Sequence, residues 1–351
     1  MASHQQQNQL LVRVLTFFTA VFTIVVVNRG ATLKCPPFTQ KQADRAVAAV
    51  AYEKGSCFSS AISQYGDIWQ ARPALFFMNS STFKLSLLAV PGDEDFWNRA
   101  QTGYPWKVSP ATLLFVGLVF EGASKLNVLS NAPVIDVGAN MGQEVIVAGL
   151  FGHRATTFEL MPQSVKAVRF NLAANCVREN LVTIVDAGVS DKPGSLNISL
   201  SGFTPQKRTE ESSDANHRAQ ITTLDDYFIH QTPRRLTSRP MLLKLDCEGC
   251  ESKALKGAES ILRDFPPHFI LIEYREQEPG VVEEVERLVH EFNYSRAFIV
   301  NHGDEMLTGD QIYAKEDFFR RNLKSQVWSP GDSCDCDIVF VHSNAANIGL
   351  F

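Results

Sequence analysis

Val134 to Gln143 reads VIDVGANMGQ, and the rest of the chain is organised around this stretch. A β-branched run carrying Asp136 is followed by Gly138, Ala139, Asn140, Met141 and Gly142, and then by an apolar run from Val145 that can form a helix. The pattern is strand, glycine-bearing turn, helix N-terminus. Such a turn lets backbone N–H groups come close to a ligand, because glycine has no Cβ and tolerates positive φ. It therefore reads as a cofactor cradle. Two glycines can also end a strand for structural reasons alone, so the neighbouring elements have to decide.

Beyond the turn, apolar strands alternate with helical patterns. Ala155–Glu159 is expected as a strand ending in an acid, and Pro162–Asn175 as a helix with Val165, Val168 and Leu172 on one face. Further strands are expected at Val182–Val185, ending at Asp186, then at Met241–Leu245, His268–Ile272, Ser295–Val300 and Asp337–Val341. A helix at Pro279–Phe292 separates two of them, and Thr223 is placed to cap a helix over Asp225 and Asp226. An apolar helix is expected from Pro110 to Val128, ahead of the first strand. This rhythm gives an α/β fold, a doubly wound, mostly parallel, Rossmann-like sheet of seven strands.

Ligands of such sheets bind at the carboxyl ends of the strands. Four of these strands end in acids, namely Asp136, Glu159, Asp186 and Asp246. Glu159 follows Asp136 by 23 residues, near the roughly 20 expected of an acid that binds ribose hydroxyls. A nucleoside is the natural guest. A dinucleotide site wants three glycines where only Gly138 and Gly142 occur, and no Gly-Lys-Ser/Thr follows for a P-loop. Asp136 would oppose a pyrophosphate but favour S-adenosylmethionine (SAM), which is cationic at its sulfonium and amine.

Several motifs together resemble the FkbM family of SAM-dependent methyltransferases. They are Val134–Gly142, Glu159-Leu160-Met161-Pro162, Asn180, Leu224-Asp225-Asp226, Lys244-Leu245-Asp246-Cys247-Glu248-Gly249-Cys250-Glu251, and Leu255-Lys256-Gly257-Ala258. The resemblance covers roughly Ala111 to Val341. It implies O-methyl transfer on a class I SAM methyltransferase fold, with Asp337–Val341 as an antiparallel strand beside the fifth. It also implies that Asp136, Gly138, Asn140 and Gly142 line the methionine end of SAM, that Glu159 takes the ribose and that Asp186 lies beside adenine. Asp186 stands where the family often has Asn, and Gly188 where it usually has Ala.

Methyl transfer is an in-line displacement, and a carboxylate that deprotonates a hydroxyl acceptor can add roughly 10²–10⁴-fold. Asp246 and Glu248 are the candidate bases, with Lys244 orienting one of them. Glu248 could equally fix the fold by binding amides around Gly249, and Glu251 reads as a first-turn helix acid. Cys247 and Cys250 read as small hydrophobes rather than a redox pair. No metal site is expected, since Cys334 and Cys336 lack suitable partners for zinc. His153, His217 and His268 are isolated. The alternatives to an O-methyltransferase are a non-catalytic SAM-fold binding module and a nucleotide-sugar Rossmann oxidoreductase.

The chain has 351 residues, is 45% hydrophobic, and carries a formal charge of −5 with pI about 5.9, which points away from a nucleic-acid surface. Leu10–Val27 is predominantly apolar and is expected to be a membrane-targeting segment, a signal anchor or else a signal peptide. Residues 1–33 are then a cytosolic tail and anchor, 34–109 a stem and accessory region, and 110–351 the methyltransferase-like domain. Lys and Arg after the span argue for a cytosolic body. Seven cysteines and sequons at Asn79, Asn197 and Asn293 argue for a lumenal one in the ER or Golgi, secreted if the segment is cleaved. The lumenal reading is taken, with a glycan or small-molecule hydroxyl as substrate. A Cys35–Cys57 disulfide and a hairpin within Leu75–Val90 are expected in the accessory region, and Ser201–Gln220 is expected to be a surface loop able to act as a lid.

Overall fold

The computed structural model describes residues 74–79, 84–89, 109–125, 132–198, 217–230, 236–302 and 334–345, with isolated positions within 57–64 and 306–332. The first pair of strands, β1 (Ala74–Asn79) and β2 (Lys84–Ala89), is antiparallel, as expected of the hairpin. Helix α1 (Ala111–Lys125) follows. Leu113 to Phe120 are all buried, which marks a helix inside the protein rather than on its surface.

The central sheet contains β3 (Val134–Val137), β4 (Ala155–Glu159), β5 (Val182–Asp186), β9 (Leu242–Leu245), β10 (Phe269–Arg275), β11 (Tyr294–His302) and β12 (Asp335–His342). Helices α2 (Gln143–Leu150), α3 (Pro162–Ala174), α4 (Glu251–Lys256), α5 (Glu259–Asp264) and α6 (Val281–His290) lie between them. The strand order is β11-β12-β10-β9-β3-β4-β5, and β12 runs antiparallel to both of its neighbours. This mostly parallel, seven-stranded arrangement fits the class I SAM methyltransferase fold. After β3 the chain fills one side with β4 and β5, then crosses to the other with β9. The crevice where the winding reverses therefore opens between β3 and β9, the ligand-binding position of such sheets.

Side-chain alternation divides the core in two. Val134, Leu242, Phe269, Leu271, Val339 and Val341 face a layer containing α1 and α2, whereas Ile135, Leu243, Ile270, Ile272, Ile338 and Phe340 face α4, α5 and α6. Both faces are covered, which is why the central strands read as continuous apolar runs.

A smaller sheet joins β6 (Gly188–Val189), β7 (Gly194–Ile198) and β8 (His217–Thr222), with β8 in the middle. This corrects the expectation of a loop over Ser201–Gln220, because His217–Gln220 belong to β8. The other residues of that segment lie outside those described. Thr223 Oγ1 accepts from the Asp226 N–H at 2.9 Å and so caps as expected. Asp225 is different. It leaves its own helix and accepts from the Ser260 and Ile261 N–H groups at 2.7 and 3.0 Å, capping α5 instead.

The disulfides also differ from expectation. Cys57 pairs with Cys176, 119 residues away, rather than with Cys35, so the accessory region is fastened to the chain just after α3. Cys247 is bonded to Cys250 and Cys334 to Cys336, so the first two are not merely small hydrophobes. No helix among the described residues is long and apolar enough to cross a membrane, and Leu10–Val27 lies outside them.

Candidate active site

The glycine turn is held by the protein's own backbone. Gly138 and Ala139 N–H groups both donate to the Phe158 carbonyl, at 3.0 and 3.3 Å, and Gly142 N–H donates to Ala139 at 2.6 Å. Asn140 N–H donates to Glu159 at 2.9 Å. Gly138, Asn140 and Gly142 all have positive φ, at 85°, 49° and 82°. A Cβ on Gly138 would collide with the Asp246 carbonyl oxygen, and one on Gly142 would press on Val168. The bare backbone at Gly138 thus serves to admit β9's outgoing turn. With four N–H groups of the turn already engaged, it is not built to cradle phosphates.

Glu159 ends β4 and is buried. Besides Asn140, its carboxylate accepts from Leu160 and Met161 N–H groups at 2.8 Å each, fixing both the glycine turn and the start of α3. Asp186, at the end of the edge strand β5, is exposed.

Asp136 and Lys244 are register partners on β3 and β9. Asp136 is 0% exposed. It accepts from Thr157 Oγ1 at 2.7 Å and pairs with Lys244 Nζ at 3.3 Å. It lies beneath the cradle rather than on its surface, so its charge reaches the crevice through Lys244. The ammonium of Lys244 also donates to the Gly138 carbonyl at 2.9 Å and pairs with Asp246 at 3.4 Å. Burial opposes its charge, but Asp136, Asp246 and Glu144 together hold its pKa well above the ordinary value. Asp246 is the member of this group open to solvent, with 44% of its side chain exposed.

The loop after Asp246 has an unexpected keeper. Glu251, 1% exposed at the start of α4, accepts from Cys247 N–H at 2.7 Å and Gly249 N–H at 2.8 Å. Burial, reinforced by Glu278, pushes its pKa up to about 8. The amide-binding role considered for Glu248 therefore belongs to Glu251, because a side chain at the first helical position can fold back over the preceding turn. Glu248 points outward in a left-handed conformation, φ 62°, and pairs with Arg275 at 2.8 Å.

Three participants were not singled out in the sequence. Glu144, in the first turn of α2, is buried at the Lys244 cluster, and burial pushes its pKa up to about 7. Glu273, two residues before the end of β10, is pushed to about 10 by burial, then by Asp246 and Glu248. Arg275 pairs with both Glu248 and Glu273. Carboxylate oxygens of Asp246, Glu248 and Glu273 lie within 4.8 Å of one another, a spacing a divalent cation could span, although Arg275 already neutralises two of them. Of Glu144, Glu273 and Arg275, only Glu273 carries a signal in the sequence, as the acid that follows the apolar run His268–Ile272 in the way Asp246 follows Leu245.

The structure brings Lys244, Asp136, Gly138 and Asp246 together at one crevice, with Asn140 and Glu159 joined behind it. Asp186 and Glu248 stand at its margins. Carboxylates outnumber cations there, which suits a positively charged guest.

Residues 136–304 match the family described as methyltransferase FkbM domain. The matched stretch begins in β3 and stops short of β12, which nevertheless lies inside the same sheet. No curated protein matches in sequence. Among solved structures, the methyltransferase FkbM from Methylobacillus flagellatus KT is 15% identical, with a TM-score of 0.37 over 60% of this chain and 44% of that one. This chain thus spans less than half the length of that protein. An rRNA methylase from Streptococcus thermophilus is 11% identical, with a TM-score of 0.32 over 64% of this chain and 92% of that one. The precorrin-6y C5,15-methyltransferase from Geobacter metallireducens GS-15 is 14% identical, with a TM-score of 0.32 over 64% and 87%.

Proposed function

We propose that this chain, which carries a methyltransferase FkbM domain at residues 136–304, is a SAM-dependent O-methyltransferase acting on a hydroxyl of a glycan, glycolipid or other small molecule. The observation that carries the choice of cofactor is the chemistry of the β3–β9 crevice. Its turn amides are consumed internally and its side chains are dominated by carboxylates, which fits a cationic sulfonium and amine and disfavours a dinucleotide's pyrophosphate. The same observation weighs against the oxidoreductase reading. Bound there, SAM would supply an activated methyl group.

The residues of this chain that would hold it are the Gly138–Gly142 turn, Glu159 beside the ribose and Asp186 at the adenine end. Lys244 is a positioning residue: it ties the Gly138 carbonyl to Asp246 and carries the influence of buried Asp136. Asp246, half exposed at the mouth, is the general base that takes the acceptor's hydroxyl proton, a contribution of roughly 10²–10⁴-fold. Glu248 and Arg275 border the acceptor's approach. Anchoring through Leu10–Val27 and residence in the ER or Golgi lumen belong to the same proposal, supported by three disulfides among the described residues.

The test is thermal shift with SAM and S-adenosylhomocysteine, paired with methyl transfer from labelled SAM to a pool of glycans. Wild type is expected to be stabilised by both ligands. Asp246→Asn should keep the shift and lose at least roughly 10²-fold in turnover. No shift in wild type at saturating ligand overturns the cofactor reading, and wild-type turnover in Asp246→Asn removes it as base.

A further inference from the structure

We infer that the sheet carries a second ligand site at its opposite end, for a small oxyanion of the phosphate or sulfate class, formed by Arg239, His268 and His342. It is independent of the methyl-transfer reading. Arg239 precedes β9, His268 immediately precedes β10, and His342 ends the antiparallel β12, so all three converge at the end of the sheet remote from Asp246 and Glu273. Backbone bonds fix them side by side: His268 N–H donates to the Pro240 carbonyl at 2.9 Å, and His342 N–H to the His268 carbonyl at 3.1 Å.

The cluster is rich in donors and, among the described residues, lacks an acid. Arg239 Nε donates to the Pro266 carbonyl at 2.7 Å, but its Nη2 is buried without a partner, and so is His268 Nδ1. His342 Nδ1 accepts from Asn344 N–H at 3.2 Å, which places the proton of its neutral ring on Nε2, another donor. Tyr294, packed edge-on against His342 with ring centroids 5.2 Å apart, spends its hydroxyl proton on the Pro267 carbonyl at 2.8 Å.

Electrostatics agree with this inventory. Burial and then Arg239 push both imidazoles down to about 4, and His342 adds to the effect on His268. Among the described residues no carboxylate shifts any of the three; on Arg239 itself, burial lowers the pKa and Tyr294 raises it. A buried guanidinium donor without an acceptor is rare in folded proteins and points to an absent partner, an ion or a water. An oxyanion supplies several acceptor oxygens to the planar Arg fork and offsets the uncompensated positive charge. A metal cation is unsuited to the same place, because the Arg charge would repel it. Arg239 and His268 are only half buried, so the cluster is open at its rim.

The linkage has a definite sign. An anion favours protonated imidazoles, so binding raises both histidine pKa values and tightens as pH falls. Sulfate is the cleaner probe for this, because it does not titrate between pH 5 and 8.

The experiment uses the full chain. Melting temperature is measured against inorganic phosphate and against sulfate, with chloride at matched ionic strength as control, and histidine titrations are followed by NMR. Wild type is expected to gain roughly 5 °C or more at a hundredfold excess over Kd. The sulfate Kd should be lower at pH 6 than at pH 8, and the His268 and His342 titrations should move upward. Arg239→Gln should lose the response while retaining its chloride baseline, and Arg239→Lys should keep part of it. Because a misfolded variant would be uninformative, the wild-type titrations stand as a separate criterion. No saturable gain over chloride, unmoved histidine titrations, or an undiminished response in Arg239→Gln each overturn the site.

Discussion

Replacing Lys244 by Met tests the central electrostatic arrangement. At 3.3 Å and an effective dielectric constant of about 20, the Lys244–Asp136 attraction is roughly 5 kcal/mol. Removing the ammonium also removes the desolvation it suffers, but it leaves Asp136 fully buried with the Thr157 hydroxyl as its remaining donor among the described residues and deprives the Gly138 carbonyl of its 2.9 Å partner. Losing one member of a buried pair typically costs about 3–5 kcal/mol. For a domain of this size that corresponds to a fall in melting temperature of roughly 6–20 °C. Urea denaturation followed by near-ultraviolet circular dichroism at pH 7.5 measures it. Because burial is opposed by three surrounding acids, Lys244 keeps its proton. Stability from its raised pKa is present below the unfolded value near 10.5 and is lost only as pH rises through the folded one, so Lys244 itself does not titrate between pH 6 and 9. The double variant Asp136→Asn/Lys244→Met should recover more than half of the loss, since no unpaired charge remains. A single variant within about 1 kcal/mol of wild type, or strictly additive losses in the double, would refute the reasoning.

Two further outcomes follow from the same site. Glu144 has its folded pKa raised from 4.5 to about 7, chiefly by burial, so its charged form costs stability as pH climbs between those values. Glu144→Gln should therefore match wild type near pH 4 and exceed it at pH 8 by up to about 3 kcal/mol, measured by urea titration at both pH values. Gly138→Ala combines positive φ with a collision against the Asp246 carbonyl, so it should lower stability by at least about 2 kcal/mol and weaken cofactor-dependent thermal shift, whereas Gly249→Ala meets no neighbouring atom and should cost less.

What could be read in advance depended on whether neighbours in sequence were also neighbours in space. The central strands were legible because both faces are buried, which leaves apolar runs ending abruptly in acids, as at Ala155–Glu159. Strand β8 was not, since only Ala219 of its six residues is fully buried and the others give it the look of a loop. Among the site residues, Asp246 and Lys244 announced themselves by position at a strand's end. Glu251 did not: its role depends on a turn folding back by four residues, and a first-turn acid ordinarily needs no further explanation. Glu144 carries an ordinary identity, and only its depth makes it consequential; Asp136 was legible as an acid of the site but not as one buried beneath the turn. The Cys57–Cys176 pairing, with 119 residues between the partners, leaves no local trace at all.

The placement of β12 bears on how the protein is made. It is later in the chain than every other strand of the central sheet, yet it sits between β10 and β11 and pairs with both. While the chain is being synthesised, β11 can have no seat on the sheet, and β10 presents a bare apolar edge, until residues up to His342 have emerged. That interval, spent with an unpaired edge, is when the nascent chain is most open to aggregation and to chaperone capture. A ribosome stalled between residues 302 and 335 would thus hold every acid of the crevice already translated on a sheet that cannot yet close.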